Sequence, residues 1–389
     1  MFKILTHNTI SVKGLDRFSR QRYEVASELI HPDAIMLRSH QLTADSIPAT
    51  VKAVGRAGAG VNNIPVDICT DRGIVVFNAP GANANAVKEL VIMSMLMSTR
   101  DILGGIDFVS SEGAGKDEES LHKLVESGKK NFAGTELAGK TLGVVGLGAI
   151  GSQVAETGLM LGMKVYGLDP ALSVEAAWRL PREVERVENM QTLLSRCDYV
   201  TLHLPVLDAT RNLINSELVG SFKPGAVLLN FSREKLVDTD AIVAALDKGQ
   251  IRSYMTDFPM PQLVGRSDVV LLPHLGASTE EAEENCAIMI ADQLIDFLEN
   301  GNISNSVNFP KVSMERNGGH RIAFSNRNVP AMLNQVLSVL AERGHNVIDM
   351  INKSRNDIAY NLIDVEREPK PDLVDALEAI DGVINARLL

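Results

Sequence analysis

Short apolar runs alternate with polar, helically spaced stretches along most of the chain. In the first third, residues 1–6, 34–37, 51–54 and 74–77 read as buried parallel strands, and residues 86–99 as a helix leading out of them. The polar stretch 110–131, rich in Gly, Glu, Asp and Lys, predicts a surface excursion with one short helix. From Thr141 the alternation resumes in a new register, with strands at 141–145, 164–168, 199–203, 226–230, 253–256 and 269–272. Residues 279–300 form one long helical pattern. Thr279 suits its N-cap, glutamates at 280, 281, 283 and 284 suit its first turns, and Gly301 ends it. A linker with a short strand, 302–319, precedes a different order: strand 320–326, helix 329–343, strands 347–353 and 357–366, helix 371–380 and strand 383–388. This βαββαβ order predicts a small ferredoxin-like domain.

Composition narrows the function. The 389 residues exceed one ordinary domain, and 45% hydrophobic content supports sizeable cores. A net charge of −11 and only 4% aromatic residues argue against nucleic-acid and anionic-membrane partners. Cys69, Cys197 and Cys286 are scattered without metal-ligand spacing and read as reduced thiols. No metal site is expected. The N-terminus reads as a first strand rather than a leader, and no apolar run reaches membrane-spanning length, so a cytoplasmic location is expected.

The chemistry begins at Gly143-Val144-Val145-Gly146-Leu147-Gly148-Ala149-Ile150-Gly151. An apolar strand runs into glycines at 146, 148 and 151, a helix follows, and the next strand ends on Asp169. Gly146 serves the tight turn, Gly148 the approach of backbone N–H groups to a pyrophosphate, and Gly151 the close packing of helix on strand. The helix N-terminus favours phosphates. Asp169 is placed to accept from a ribose 2′-hydroxyl and to repel a 2′-phosphate, which selects NAD over NADP. The fold class is α/β: two Rossmann-like doubly wound parallel-sheet domains followed by the ferredoxin-like tail.

Other reactive groups follow strand ends, where doubly wound sheets bind ligands. Arg233 follows the strand 226–230, and a guanidinium there is able to fork onto a carboxylate or polarise a ketone oxygen. His274 follows the strand 269–272 and carries the side chain best suited to proton transfer near neutrality. In the first domain, Arg56 leads into Ala57-Gly58-Ala59-Gly60, an anion nest of successive amides. Residues 78–83, ending on Asn83, form a second such turn, and Arg38 follows the strand 34–37. Together they describe a cleft enzyme that moves hydride to or from a small anionic substrate.

These residues resemble the D-isomer-specific 2-hydroxyacid dehydrogenases over nearly the whole chain. The matching motifs are Gly-Arg-Ala-Gly-Ala-Gly-Val at 55–61, the glycine run at 146–151, Cys197-Asp198 through His203-Leu204-Pro205, Asn230-Phe231-Ser232-Arg233 with Val237-Asp238, and Pro273-His274-Leu275-Gly276-Ala277-Ser278-Thr279. The tail resembles an ACT regulatory domain. The resemblance implies a substrate domain at 1–92 to which 277–305 return, an NAD domain at 93–276, a linker at 306–318 and a regulatory domain at 319–389.

Within the family the likeness is to members that oxidise 3-phospho-D-glycerate with NAD, the first step of L-serine synthesis. It implies that His274 takes the 2-hydroxyl proton, that Arg233 binds the carboxylate and polarises the forming carbonyl, and that Gly58, Ala59, Gly60 and Asn83 hold the carboxylate end. Arg38 and Arg56 match substrate-side arginines. Ala149 and Ile150 sit over the pyrophosphate, and Leu204, Phe231, Ser232, Asp257 and Ala277 line the nicotinamide side.

One departure stands out. By offset from Asp257, Gln262 takes the place of the glutamate that orients the catalytic histidine in the family. Glutamine is able to accept the ring N–H but brings no charge, unless Glu280 or Glu281 supplies it. In the tail, Asn328 and Asn346 match effector-contacting positions of members inhibited by L-serine, and Asn326, counted with them, stands where some members carry histidine. A homo-oligomer, dimer or tetramer, is implied. A reductase of unphosphorylated 2-keto acids and a non-catalytic NAD sensor are the competing readings.

Overall fold

The computed structural model describes residues 1–389, the side chain of Glu175 excepted. The chain divides into two compact units, Met1–Asn83 with Glu280–Leu389, and Ala84–Thr279. The helix Ala84–Met97, expected to close the first domain, is counted with the second unit.

In the first unit, β1 (Phe2–His7), β2 (Tyr23–Ala26), β3 (Ala34–Leu37), β4 (Ala53–Arg56) and β5 (Val75–Phe77) form one parallel sheet in the order β2-β1-β3-β4-β5. Sequence reading missed β2, a four-residue edge strand too short to show a period. It also began β4 two residues early: Arg56, despite its charge, stays in the ladder opposite Leu37. Ile35, Leu37, Val54 and Val76 fill one face of the sheet. Ile4, Met36, Ala53 and Phe77 fill the other, against Ile290, Leu294 and Phe297 of the long helix Glu280–Asn300.

The tail forms an antiparallel sheet of β13 (His320–Arg327), β14 (Val347–Arg355), β15 (Ile358–Val365) and β16 (Val383–Leu388), ordered β14-β15-β13-β16. With the helices Met332–Glu342 and Asp372–Glu378 this is the expected βαββαβ arrangement. The first of these helices starts later than its pattern, because Pro330 precedes Ala331, which sits left-handed at φ 68°. No strand forms in the linker, only isolated bridges such as Ile303 to Val312.

One face of the tail sheet shares the core of the long helix, since Ala323, Ile358, Tyr360 and Leu362 pack with Phe297, Ile303 and Phe309. Arg321 fastens this join. Fully buried, it grips both oxygens of buried Asp364 at 2.7 Å and donates to the carbonyls of Asn300, Met314 and Glu315 at 3.0, 2.8 and 2.7 Å. Every guanidinium proton finds an acceptor, which is what makes a buried charge tolerable.

The second unit holds a seven-stranded parallel sheet. Its strands are β6 (Thr141–Val145), β7 (Lys164–Leu168), β8 (Glu185–Arg186), β9 (Tyr199–Leu202), β10 (Ala226–Asn230), β11 (Ile251–Thr256) and β12 (Val269–Leu271). The order is β12-β11-β10-β9-β6-β7-β8, with the topological switch between β6 and β9. β8, a two-residue exposed edge, carries no sequence signal.

The stretch 110–131 holds the short helix expected of it, Glu118–Gly128, and another, Ile102–Glu112, comes before it where sequence reading placed no element; Asp117 and Asp101 N-cap them. Gly104 and Gly105 had masked the earlier helix. Among the described residues no helix is long and apolar enough to cross a membrane.

Candidate active site

At the carboxyl end of β6 the chain turns at Gly146, whose φ of 89° favours glycine. A Cβ at Gly151 would collide with the Gly146 carbonyl oxygen, so this glycine is required for helix Ala149–Met160 to sit against the turn. Gly148, the N-cap of that helix, is different: a Cβ there meets nothing within 4 Å. Its surroundings are open at the point where the first-turn amides of Ala149, Ile150 and Gly151 lack intrahelical acceptors. Asp169, at the end of β7, braces the turn. Its two oxygens accept from the Leu147 and Ala171 amides at 2.8 and 2.9 Å.

β10, β11 and β12 deliver the second cluster. Asn230, fully buried at the end of β10, donates to the Arg233 carbonyl at 2.9 Å and accepts from the Ser232 amide at 3.2 Å. This fixes the bend that carries Arg233 out to an exposed position. Ser232 is tied by its hydroxyl to the Leu202 carbonyl, and Phe231 is buried in the core.

Asp257, just past β11, is 1% exposed. One oxygen accepts from the Gly276 amide at 2.9 Å, while Oδ1 is buried without a partner among the described residues. Burial raises the Asp257 pKa; the Gly276 amide and the charges of His274 and Arg233 oppose that rise. The carboxylate therefore lies within the electrostatic reach of both predicted catalytic residues.

His274 is held by its backbone. Its amide donates to the carbonyls of Asp257 and Leu272 at 3.0 and 3.1 Å, and φ is 51°, a left-handed conformation uncommon outside glycine. Such strain costs on the order of 1–3 kcal/mol and clusters at functional sites. The exposed ring leans on Phe258, centroids 5.1 Å apart. The expected bond from Gln262 to this ring is absent among the described residues. Gln262 is exposed on a short 3₁₀ turn, Pro261–Leu263, that directs only Leu263 inward. Leu204 and Ala277 are partly buried.

The open helix start, the braced acid and the orphaned Asp257 Oδ1, free to accept from an amide, fit a dinucleotide with a nicotinamide head. Sequence reasoning passed over His203, at the end of β9. Its ring binds the Thr201 hydroxyl at 2.9 Å, Nδ1 is orphaned, and burial pushes its pKa down to about 3.

In the first unit, the carboxyl edge of the sheet carries the predicted anion-binding groups, with two corrections. Arg56 does not stand free: its Nε and Nη1 donate to the carbonyls of Arg38 and Gly60 at 3.1 and 2.8 Å, so it shapes the nest. Within the loop, the Ala57 and Gly58 amides already donate to Leu37 and Arg56 carbonyls, which leaves those of Ala59 and Gly60 for a ligand. Asn78 braces the loop by donating to the Ala59 carbonyl at 2.7 Å. Arg38 pairs with Glu283 at 2.5 Å, both side chains about 40% exposed. Asn83 is partly exposed at the end of its turn.

His7 and His40, at the ends of β1 and just after β3, stack with centroids 4.2 Å apart; burial and His40 lower the His7 pKa. Their positions just after strands were the available signal.

Residues 92–276 match the family described as D-isomer specific 2-hydroxyacid dehydrogenase, NAD binding domain. The D-3-phosphoglycerate dehydrogenase of Haemophilus influenzae is 34% identical over 375 residues, covering 92% of this chain and 87% of that protein. A putative D-3-phosphoglycerate dehydrogenase of Schizosaccharomyces pombe is 30% identical, covering all of this chain and 80% of that one. Among solved structures, the NAD⁺-bound 3-phosphoglycerate dehydrogenase of Entamoeba histolytica matches with a TM-score of 0.60 at 26% identity, over 79% of this chain and 98% of that one. The chain is an NAD-dependent enzyme and belongs to the D-isomer-specific 2-hydroxyacid dehydrogenase family.

Proposed function

We propose that the protein oxidises 3-phospho-D-glycerate to 3-phosphohydroxypyruvate with NAD, the first step of L-serine synthesis. The observation that carries this reading is the division of groups: an arginine-bearing anion edge in the first unit, and in the second a dinucleotide turn together with Arg233 and His274. The relatives' names agree with it.

NAD, held by the 146–151 turn, Asp169 and the Leu204, Phe231, Ser232, Asp257 and Ala277 surroundings, supplies the hydride acceptor. His274 removes the proton of the 2-hydroxyl as the C2 hydride departs, so the carbonyl forms without a free alkoxide. Arg233 stabilises charge on that oxygen and holds the carboxylate, and its fork makes lysine a poor substitute. The Ala59 and Gly60 amides and Asn83 take the carboxylate end. Arg38, exchanging Glu283 for the ligand, takes the phosphate, and Arg56 keeps the nest in shape. With Gln262 exposed and making no hydrogen bond to the ring among the described residues, Phe258 and the backbone clamp serve instead.

The test follows NADH formation with 3-phosphoglycerate and with 2-hydroxyglutarate. Preference for the phosphorylated acid supports the reading; equal or greater turnover of the unphosphorylated acid overturns it.

The chain also self-associates in this reading. The helix Ile102–Glu112 buries none of its residues, leaving Leu103 53% and Ile106 60% exposed. A second copy is the natural cover, and Ile106→Glu shifts the sedimentation coefficient downward. For the ferredoxin-like tail we assign an ACT-type role, with a small amino acid such as L-serine at Asn328 and Asn346, both exposed. Asn326 is withdrawn from that set, because it is buried and bonded to the Arg327 carbonyl and Asn361. Titrating L-serine into the assay checks the role. Buried free cysteines accord with a cytoplasmic location.

A further inference from the structure

β1, β3 and β4 are neighbours in the sheet of the first unit, and each delivers polar groups to its carboxyl edge. β1 ends on His7, β3 runs into Arg38 and His40, and β4 runs into the loop 57–60. In the reaction proposed above Arg38 and the loop hold substrate, and the two histidines have no role. Their placement is nonetheless fixed. Asn8, left-handed at φ 67°, turns back so that its Oδ1 accepts from the Ser39 and His40 amides at 3.1 and 2.6 Å. Buried Asn63 holds the same loop by its carbonyls, donating to those of Arg38 and His40 at 3.2 and 2.7 Å.

This clasp sets the two rings face to face, centroids 4.2 Å apart and planes 15° apart, both partly buried. Each ring carries two nitrogens, and neither makes a hydrogen bond among the described residues. Ring N–H groups lie in the ring planes, so near-parallel rings are able to present donors to one oxyanion. Burial and His40 lower the His7 pKa, and among the described residues no carboxylate acts on His7 to oppose them. The other charged groups at these strand ends are Arg38, paired with Glu283 of the long helix, and Arg56, bonded to the Arg38 and Gly60 carbonyls. Two stacked imidazoles resist becoming two cations until an anion faces them.

Adjacent strands lie about 4.8 Å apart, so the end of β1 is about 10 Å from the loop that follows β4. That span suits a three-carbon acid with its carboxylate on the loop and its phosphate at the β1 and β3 ends. We propose that His7 and His40 together hold the phosphate of the substrate beside Arg38, and that the pair takes up a proton as the phosphate binds. This rests on the 3-phosphoglycerate reading above and adds to it a determinant of specificity. Arg38 is a permanent charge on which any anion is able to draw. The histidine pair becomes charged only under an oxyanion strong enough to hold the proton there. A dianionic phosphate does this, and the hydroxymethyl group of an unphosphorylated acid does not.

The test is KM for 3-phospho-D-glycerate and for D-glycerate between about pH 7 and pH 9, where the phosphate stays dianionic. KM for the phosphorylated acid should rise by about tenfold or more across that range, and KM for D-glycerate should stay nearly flat. His7→Asn and His40→Asn should each raise KM for the phosphorylated acid by about tenfold at neutral pH, flatten its rise with pH and keep kcat. His40→Arg, whose cation does not titrate in this range, should restore a low KM without the pH dependence. In an NMR titration of the full chain, inorganic phosphate should raise the pKa of both rings, a readout independent of turnover. A KM unmoved in both asparagine variants, a KM flat with pH in the wild type, or ring signals indifferent to phosphate overturns the proposal while the preference for the phosphorylated acid stands. Absence of that preference in the wild type overturns the underlying reading and the role of the pair with it.

Discussion

The glycine turn of the second unit and the glycine loop of the first look alike as sequence, yet they are built differently. At 146–151 the backbone itself is the device: Gly146 turns, Gly151 lets the helix close on the turn, and Asp169 locks it through the Leu147 amide. At 56–60 the device is a side chain. Arg56 bends back onto Gly60, two of the loop amides are already bonded, and neighbouring Arg38 is paired with Glu283. A backbone device is ready before the ligand arrives. A side-chain device has to exchange partners, and this makes the substrate half more tolerant of change and more dependent on salt and charge.

The sharpest way to break this comparison is a matched pair of glycine substitutions. Gly151→Ala drives a methyl into the Gly146 carbonyl, which cannot move without opening the turn, and should abolish NADH binding in a fluorescence titration. Gly58→Ala meets only the far end of the flexible Arg56 side chain, at the cost of its bonds to Arg38 and Gly60, and should change KM for the hydroxy acid by no more than about tenfold. Equal losses in the two variants would remove the distinction.

Next in size, His274→Ala should lower kcat by about a hundred- to ten-thousandfold with NAD affinity retained. A small loss would transfer the proton role to another group.

His203, partly buried with its Nδ1 closed off from solvent, gives a stability signature of the second unit. Its folded pKa of about 3 lies below the ordinary histidine value, so from neutrality down to that value the unfolded chain binds a proton that the folded chain refuses. Stability is full above pH 6.5 and should fall by a few kcal/mol as pH drops toward 3. His203→Gln should flatten that part of the denaturation profile. An unchanged acid slope would place the acid sensitivity elsewhere.

The smallest effect is expected at Gln262. A carboxylate there would favour the charged imidazole, so Gln262→Glu should move the acid limb of the activity profile upward. Because Gln262 makes no hydrogen bond to the His274 ring among the described residues, the shift should stay below about one pH unit. A larger one would show that the residue approaches the ring during turnover.

Much of this was legible in the sequence, for reasons that follow from the same contrast. Buried parallel strands such as β9 and β10 are runs of apolar residues with fixed period, and glycine positions dictate backbone shape directly. Edge strands β2 and β8 bury too little to leave a pattern. The helix Ile102–Glu112 hid behind Gly104 and Gly105, and its apolar stripe faces away from its own core. Long charged side chains were the least legible. Nothing in Gly-Arg-Ala-Gly-Ala-Gly tells whether the arginine points at a ligand or at Gly60, and nothing in the tail announces that Arg321 will be buried. Asn326 was misassigned for a similar reason, since its strand position turned it toward Asn361 instead of solvent.

The central claim is that a phosphorylated acid is recognised at Arg38 while the chemistry is done at His274 and Arg233. The most direct test compares kcat and KM for 3-phospho-D-glycerate and D-glycerate in the wild type and in Arg38→Ala. The account predicts that the variant raises KM for the phosphorylated substrate by about tenfold or more, leaves KM for glycerate nearly unchanged and keeps kcat for both. An equal change for the two substrates, or a loss confined to kcat, would contradict it.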